Sequence, residues 1–239
     1  MNNKQLLMDC ANQMHVNLTE EMADQFMAYS DLLLDWNEKM NLTAITDPRE
    51  VVLKHFADCL SLVPYLELDE NSSIIDVGTG AGFPGVPVKI ACPDVEITLL
   101  DALQKRLTFL EEVTDSLALS GVNFVHSRAE DGGQNPEFRE QFSHCVSRAV
   151  ANMSVLAEYC LPYVQVGGYF VALKGPDVSR ELEESKVALE ILGGVVKEII
   201  DIQIPYTELA HNLVIIEKIK ETPKQYPRKS KKISQKPLA

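Results

Sequence analysis

The sequence predicts a doubly wound α/β fold: a mostly parallel seven-stranded sheet with helices on both faces and an antiparallel strand at one edge. Three observations predict it. From residue 73 onward, short apolar runs alternate with amphipathic stretches, so strand and helix succeed one another. The last two runs, VVKEIIDIQIP and HNLVIIEKIK, leave no room for a helix between them, which makes them a hairpin and turns one strand against the rest. The first run, SIIDV, opens into GTGAGFPG, with glycines at 78, 80 and 82, the pattern of a buried parallel strand entering a tight turn that faces a ligand.

Taken in order, residues 1–70 form an N-terminal helical segment. Thr19 caps a helix with Glu20 and Glu21 in its first turn, and Met22, Phe26, Tyr29, Leu33, Trp36 and Met40 line one face as core. NLTAITDP is a polar turn, and PREVVLKHFADCLSL is a second helix started by Pro48. Asp69, Glu70 and Asn71 mark the boundary of a core domain spanning 71–220. Its strands are SIIDVG, EITLLDA, NFVHSRA, FSHCVSRAV, GYFVALKG and the two of the hairpin, and its clearest helices are 105–119 and 179–192. A basic tail, 221–239, ends the chain.

With 239 residues, 46% of them hydrophobic, the chain can bury a full core. No run of about 18 apolar residues occurs and the N-terminus has no cleavage pattern, so a cytoplasmic protein without a membrane partner is expected. Cys10, Cys59, Cys92, Cys145 and Cys160 are scattered, without a C-x-x-C pair or a histidine cluster, so neither metal nor disulfides are expected. The net charge of -13 hides a split: from Lys218 to the end eight Lys or Arg stand against one acid, leaving -20 on residues 1–217. Such an arm reads either as a phosphate-binding element or as a solvated tail.

The glycine spacing alone fits two ligands. Gly80, Gly82 and Gly85 satisfy the G-x-G-x-x-G of a nicotinamide enzyme as well as they fit an adenosylmethionine turn. Asp101, ending the second strand, is placed to accept ribose hydroxyls, or else is an exposed strand-end acid. Ser127, Arg128, Ala129 and Glu130 follow the third strand, bordering the adenine end, with Glu130 alternatively a helix-capping acid. Arg148 and Lys174, ending strands four and five, suit a phosphate or carboxylate. His55 and Asp58, three apart on a helix, read as an internal polar pair. No G-x-S-x-G, H-E-x-x-H or G-x-x-x-x-G-K-[ST] occurs, which removes hydrolase and phosphate-loop NTPase readings.

NLTAIT, HFADCLSL, IIDVGTGAGFPGVP, LLDALQKRLTFL, SRAE, VSRAVA, ALKG and TPKQYPRK, in this order, resemble the bacterial 16S ribosomal RNA guanine-N7 methyltransferase family, RsmG or glucose-inhibited division protein B. The resemblance implies a Rossmann-like class I methyltransferase fold, S-adenosyl-L-methionine as cofactor, and 16S ribosomal RNA or a small-subunit precursor as partner. It implies cofactor contacts at Gly78, Gly80, Gly82, Phe83, Asp101, Ala129, Glu130 and Arg148, with Arg148 also catalytic. RNA contacts are expected at Lys105, Arg106, Lys174, Arg228 and Lys229. The chain departs from the family at Cys59 and Ala102, where Ser is usual, at His211, where Arg is common, and in the tail after PRK. An NAD-dependent oxidoreductase and a non-enzymatic ribosome-assembly RNA binder are the alternatives.

Overall fold

A computed structural model describes residues 1–148, 151–176 and 178–238 of the chain. Ala149 and Val150, the last residues of the expected fourth strand and part of VSRAVA, lie outside the described residues, as do Asp177 and Ala239.

The N-terminal helices form where their caps place them. Asn2 accepts from the Gln5 amide to start α1 (Asn3–Gln13), and Thr19 accepts from Met22 to start α2 (Glu20–Asn37). Phe26, Tyr29 and Leu33 of α2 are fully buried. The apolar stripe runs on to Met40, but the helix stops at Asn37, whose Oδ1 accepts from the amides of Leu42 (2.8 Å) and Thr43 (2.9 Å) and so turns the chain. Asp47 caps α3 (Pro48–Val51), which continues through a π-helical turn, Val52–Ala57, into α4 (Asp58–Leu60).

The sheet contains β1 (Ser73–Val77), β2 (Glu96–Asp101), β3 (Val122–His126), β4 (Phe142–Ser147), β5 (Val164–Lys174), β6 (Gly194–Gln203) and β7 (Ala210–Lys218). Their order is β3-β2-β1-β4-β5-β7-β6. The first five are parallel, and the hairpin closes one edge, with β7 set between β5 and β6 and antiparallel to both. β5 starts at Val164, earlier than GYFVALKG implies.

Successive strand residues point to opposite faces, which divides the core in two. One face packs Ile74, Leu99 and Ile97 beneath the N-terminal helices, α5 (Gly85–Ala91) and α6 (Gln104–Ser116). The other packs Ile75, Val77, Phe170 and Val214 beneath α8 (Met153–Cys160) and α9 (Ser179–Leu192). Residues 1–66 therefore share a continuous core with the sheet.

The basic tail is docked on the second face. Lys218 Nζ, fully buried, donates to the carbonyls of Leu161 (2.6 Å) and Val164 (3.2 Å) and to Thr222 Oγ1 (2.8 Å). Arg139 holds the carbonyls of Thr222 (2.7 Å) and Tyr226 (2.8 Å). A short helix, α10 (Ser230–Gln235), follows and buries Ile233. Strand order reverses between β1 and β4, so the crevice beyond their carboxyl ends is the topological switch point.

Candidate functional site

The turn after β1 has left-handed backbone at Gly78 (φ 75°), Gly80 (φ 62°) and Gly82 (φ 95°). These glycines serve different ends. A Cβ on Gly78 would meet nothing within 4 Å, and one on Gly80 only the Gly78 carbonyl at 3.9 Å, so both border open space. A Cβ on Gly82 would collide with Leu110 and Val86 at 2.8 Å and with the Tyr29 hydroxyl, and one on Gly85 with Asp76. The first two leave room for a ligand; the others let helix and strand approach.

Two carboxylates brace the turn. Asp76, fully buried, accepts from Thr79 Oγ1 (2.7 Å) and the Gly85 amide (2.9 Å) through Oδ2, while Oδ1 has no hydrogen-bond partner among the described residues. Burial pushes its pKa up to about 6 against those two donors. Asp101, 3% exposed, accepts from the Leu103 amide (2.8 Å) with Oδ1, and from the Gly80 amide (3.0 Å) and Arg106 Nη1 (3.2 Å) with Oδ2. Asp101 is thus tied to the turn rather than projecting as a free strand-end acid.

After β3, α7 (Ala129–Gly132) carries Glu130, 6% exposed, which accepts from Arg128 Nε at 3.0 Å. The Ala129 carbonyl accepts from the Tyr163 hydroxyl at 2.7 Å. These residues stand one strand over from Asp101, whose carbonyl accepts from the Ser127 amide.

Beyond β4, Arg148 is the center of the densest polar cluster at the crevice. Its Nη1 donates to Asp58 Oδ2 (3.0 Å) and the Lys54 carbonyl (3.2 Å), and its Nη2 meets His55 Nδ1 at 3.1 Å. The guanidinium lies 4.7 Å from the Phe83 ring centroid, and the same ring stacks on His55 at 4.5 Å. Asp58 Oδ1 meets His211 Nδ1 at 3.0 Å, and His211 Nε2 meets Ser61 Oγ at 3.2 Å. His55 and Asp58, read from sequence as an internal pair, are joined through Arg148 instead. The resemblance marked His211 only as a departure from the family; its partners could not be read locally, because Ser61 lies 150 residues earlier in the chain.

Hydrogen bonding sets the state of His55. An arginine nitrogen can only donate, so Nδ1 is the acceptor and Nε2 carries the hydrogen toward Thr43 Oγ1 at 2.8 Å. Burial, aided by Arg148, lowers its pKa to about 4. A depressed histidine pKa contributes stability that is complete above the unfolded value near 6.5 and is lost as pH falls from there toward 4. Between pH 7 and pH 4 the wild type is expected to lose about 2–4 kcal/mol relative to His55→Gln, measured by denaturant unfolding of both proteins. Parallel curves would refute it, and the opposite trend of Asp76 cancels because both proteins contain it.

The cations expected to meet RNA divide. Lys105 is exposed. Arg106 is half-exposed but spent partly on Asp101. Lys174 does not stand free as a strand-end cation: it is 8% exposed, pairs with Glu181 at 2.7 Å and donates to the Ala151 carbonyl. Arg228 likewise is not presented outward. Its Nε and Nη2 grip Glu158 at 2.8 and 2.7 Å, and the Glu158 side chain is completely buried. At both positions the charge is engaged by a carboxylate of the protein itself. Lys229 is 86% exposed and reaches Asp131 at 2.9 Å. Among the described residues no cluster could hold a metal ion, and no helix is long and apolar enough to cross a membrane.

A model of the family described as rRNA small subunit methyltransferase G matches residues 22–210. The chain is 52% identical over 233 residues to ribosomal RNA small subunit methyltransferase G of Clostridium perfringens (strain SM101 / Type A), covering 98% of each protein. It is 49% identical to the protein of the same name from Alkaliphilus oremlandii, again over 98% of both. Among solved structures, M. jannaschii TYW2 in complex with AdoMet superposes with a TM-score of 0.52 at 13% identity, covering 68% of this chain and 77% of that one, a likeness of fold.

Proposed function

This chain belongs to the rRNA small subunit methyltransferase G family, and from that premise we propose that it methylates N7 of a specific guanine in 16S ribosomal RNA, with S-adenosyl-L-methionine as donor. The observation that carries the reading is the turn after β1, open at Gly78 and Gly80 and braced by Asp76 and Asp101, within a chain similar to these enzymes over nearly its whole length.

The residues fit the cofactor. Gly78 and Gly80 let backbone approach it, Asp101 keeps acceptor capacity for ribose hydroxyls, and Ala129 and Glu130 border the adenine. Phe83 walls the side toward Arg148. When bound, S-adenosyl-L-methionine supplies an electrophilic methyl group on a sulfonium.

Guanine N7 attacks with an in-plane ring lone pair and has no proton to lose, so no general base is required of the protein. Its residues orient the base and exclude water. Of the five guanidinium hydrogens of Arg148, three are used within the cluster, and Nε–H and one on Nη2 have no hydrogen-bond acceptor among the described residues. The base becomes positively charged as it reacts, so these donors suit an oxygen of the substrate or the cofactor carboxylate, not N7. N7 lies in the deep groove of A-form RNA, so the target guanine comes from a loop or is extruded.

Lys105, Lys229, Lys231 and Lys232 form the RNA-facing set, and the three tail lysines add cations to residues 1–217, which carry -20. Changing the three tail lysines to Ala is expected to weaken RNA affinity and flatten the log–log salt slope by about 2–3 units, leaving adenosylmethionine affinity unaltered. An unchanged slope would remove the tail from the interface. The function itself is tested by mass mapping of 16S RNA from cells with and without the protein, and by transfer of labeled methyl in vitro. A missing 7-methylguanine restored by the purified protein supports it; identical maps overturn it. The site acts on a substrate of the cytoplasm, where the chain is expected to work.

A further inference from the structure

We propose that Asp58 is the positioning residue of the methyl-transfer site: it fixes the Arg148 guanidinium, and His211 fixes Asp58 from behind. The inference rests on the reading of Arg148 given above.

Asp58 uses its two oxygens on two donor side chains from different parts of the fold. Oδ2 takes Arg148 Nη1 and Oδ1 takes His211 Nδ1, both at 3.0 Å. The groups belong to α4, the segment after β4, and the start of β7. The side chains are 17%, 21% and 11% exposed, so solvent screens this cluster little. Burial alone would raise the Asp58 pKa, yet His211 and Arg148 together hold it below the ordinary carboxylate value.

The hydrogen bonds also settle how His211 is used. Ser61 Oγ has one hydrogen and gives it to the Asp58 carbonyl at 2.6 Å, so toward His211 Nε2 it accepts. Nδ1 faces a carboxylate, which accepts as well. Nδ1 therefore gives its hydrogen to Asp58, which is how His211 fixes the carboxylate. On the other side of Arg148, His55 is held neutral, with Nδ1 accepting. Arg148 is thus held by an acceptor on each side, and Asp58 lies between two donors.

An asparagine at position 58 would turn an amide NH2 toward one of two donors, releasing either Arg148 or His211. Single-turnover methyl transfer at saturating cofactor and RNA is expected to fall about 10- to 100-fold in Asp58→Asn, with the melting temperature lowered by only a few degrees. His211→Ala, as a second and milder variant, is expected to lose about three- to tenfold, and His211→Arg, whose donor is permanent, to recover most of it. The conservative variant separates positioning from packing: a merely structural loss in His211→Ala would not be restored by the larger, differently shaped arginine. Wild-type rates in Asp58→Asn beside a slow Arg148→Ala would overturn the inference alone. A wild-type rate in Arg148→Ala would overturn the reading of Arg148 and the inference with it.

Discussion

Gly78→Asp is expected to give a folded protein that no longer binds adenosylmethionine. The Cβ vector at Gly78 meets nothing within 4 Å, so the new side chain has room in the free protein. That room is what the proposed cofactor occupies, and a carboxylate placed there would also oppose the methionine carboxylate. Affinity is expected to fall at least about 100-fold, near 3 kcal/mol. The left-handed backbone, φ 75°, costs a side chain only about 1 kcal/mol, and Asp tolerates it better than most. Calorimetry with adenosylmethionine checks the affinity and thermal unfolding checks the fold. Gly82→Ala is the contrast: its Cβ would strike Leu110, Val86 and Tyr29, so stability falls there first. Unchanged binding in folded Gly78→Asp would remove the turn from the cofactor site.

Arg228→Ala is expected to destabilize the protein by about 3–5 kcal/mol, a larger effect than any lysine of the tail could have. Glu158 accepts from Arg228 Nε, Nη2 and its backbone amide, and has no exposed surface. Truncating Arg228 leaves a buried carboxylate with the amide as its one donor among the described residues. In a chain of this size the loss lowers the melting temperature by roughly 10 °C. Pairing Arg228→Met with Glu158→Leu removes the stranded charge and should recover part of the loss. Wild-type melting of Arg228→Ala would mean that the grip on Glu158 contributes nothing. The salt dependence of RNA binding is expected to follow Lys229, Lys231 and Lys232 instead, so the two kinds of basic residue in one short tail are separable by experiment.

The parts of the fold visible in the sequence are those written in local pattern. Alternating apolar runs announced the sheet, Thr19 and Pro48 announced helix starts, and the glycines at 78, 80 and 82 announced the turn. The strand-end residues Asp101, Glu130 and Arg148 could be placed because a parallel sheet delivers strand ends to one edge. What could not be read depends on partners far away in sequence. Arg228 and Glu158 are 70 residues apart, and a glutamate in MSVLAEYC looks like any solvent-facing helical acid. Lys174 looked free because Glu181 lies in the next helix. The tail's composition, lysine-rich and proline-punctuated, is that of a solvated segment, whereas Lys218, Arg139 and Ile233 dock it. Asp76 sits inside an apolar run and reads as its end, although it anchors the turn it precedes.

The π-helical turn at Val52–Ala57 makes the register of this helix a matter of residue count as well as residue identity. A π turn accommodates one residue more than the α-helix would use in the same span, so it is equivalent to a single-residue insertion carried within the helix. Removing one residue there would let the helix regularize with little loss of backbone bonding and with the residues on either side kept in phase, whereas the same deletion in a regular α-helix would rotate everything after it by about 100° relative to everything before it. Lys54 and His55 lie within the π turn and Asp58 directly after it, so the extra residue sets how His55 and Asp58 come to face Arg148 together. Over this stretch the backbone has one change of length that it can absorb, and the groups around Arg148 are what would register it.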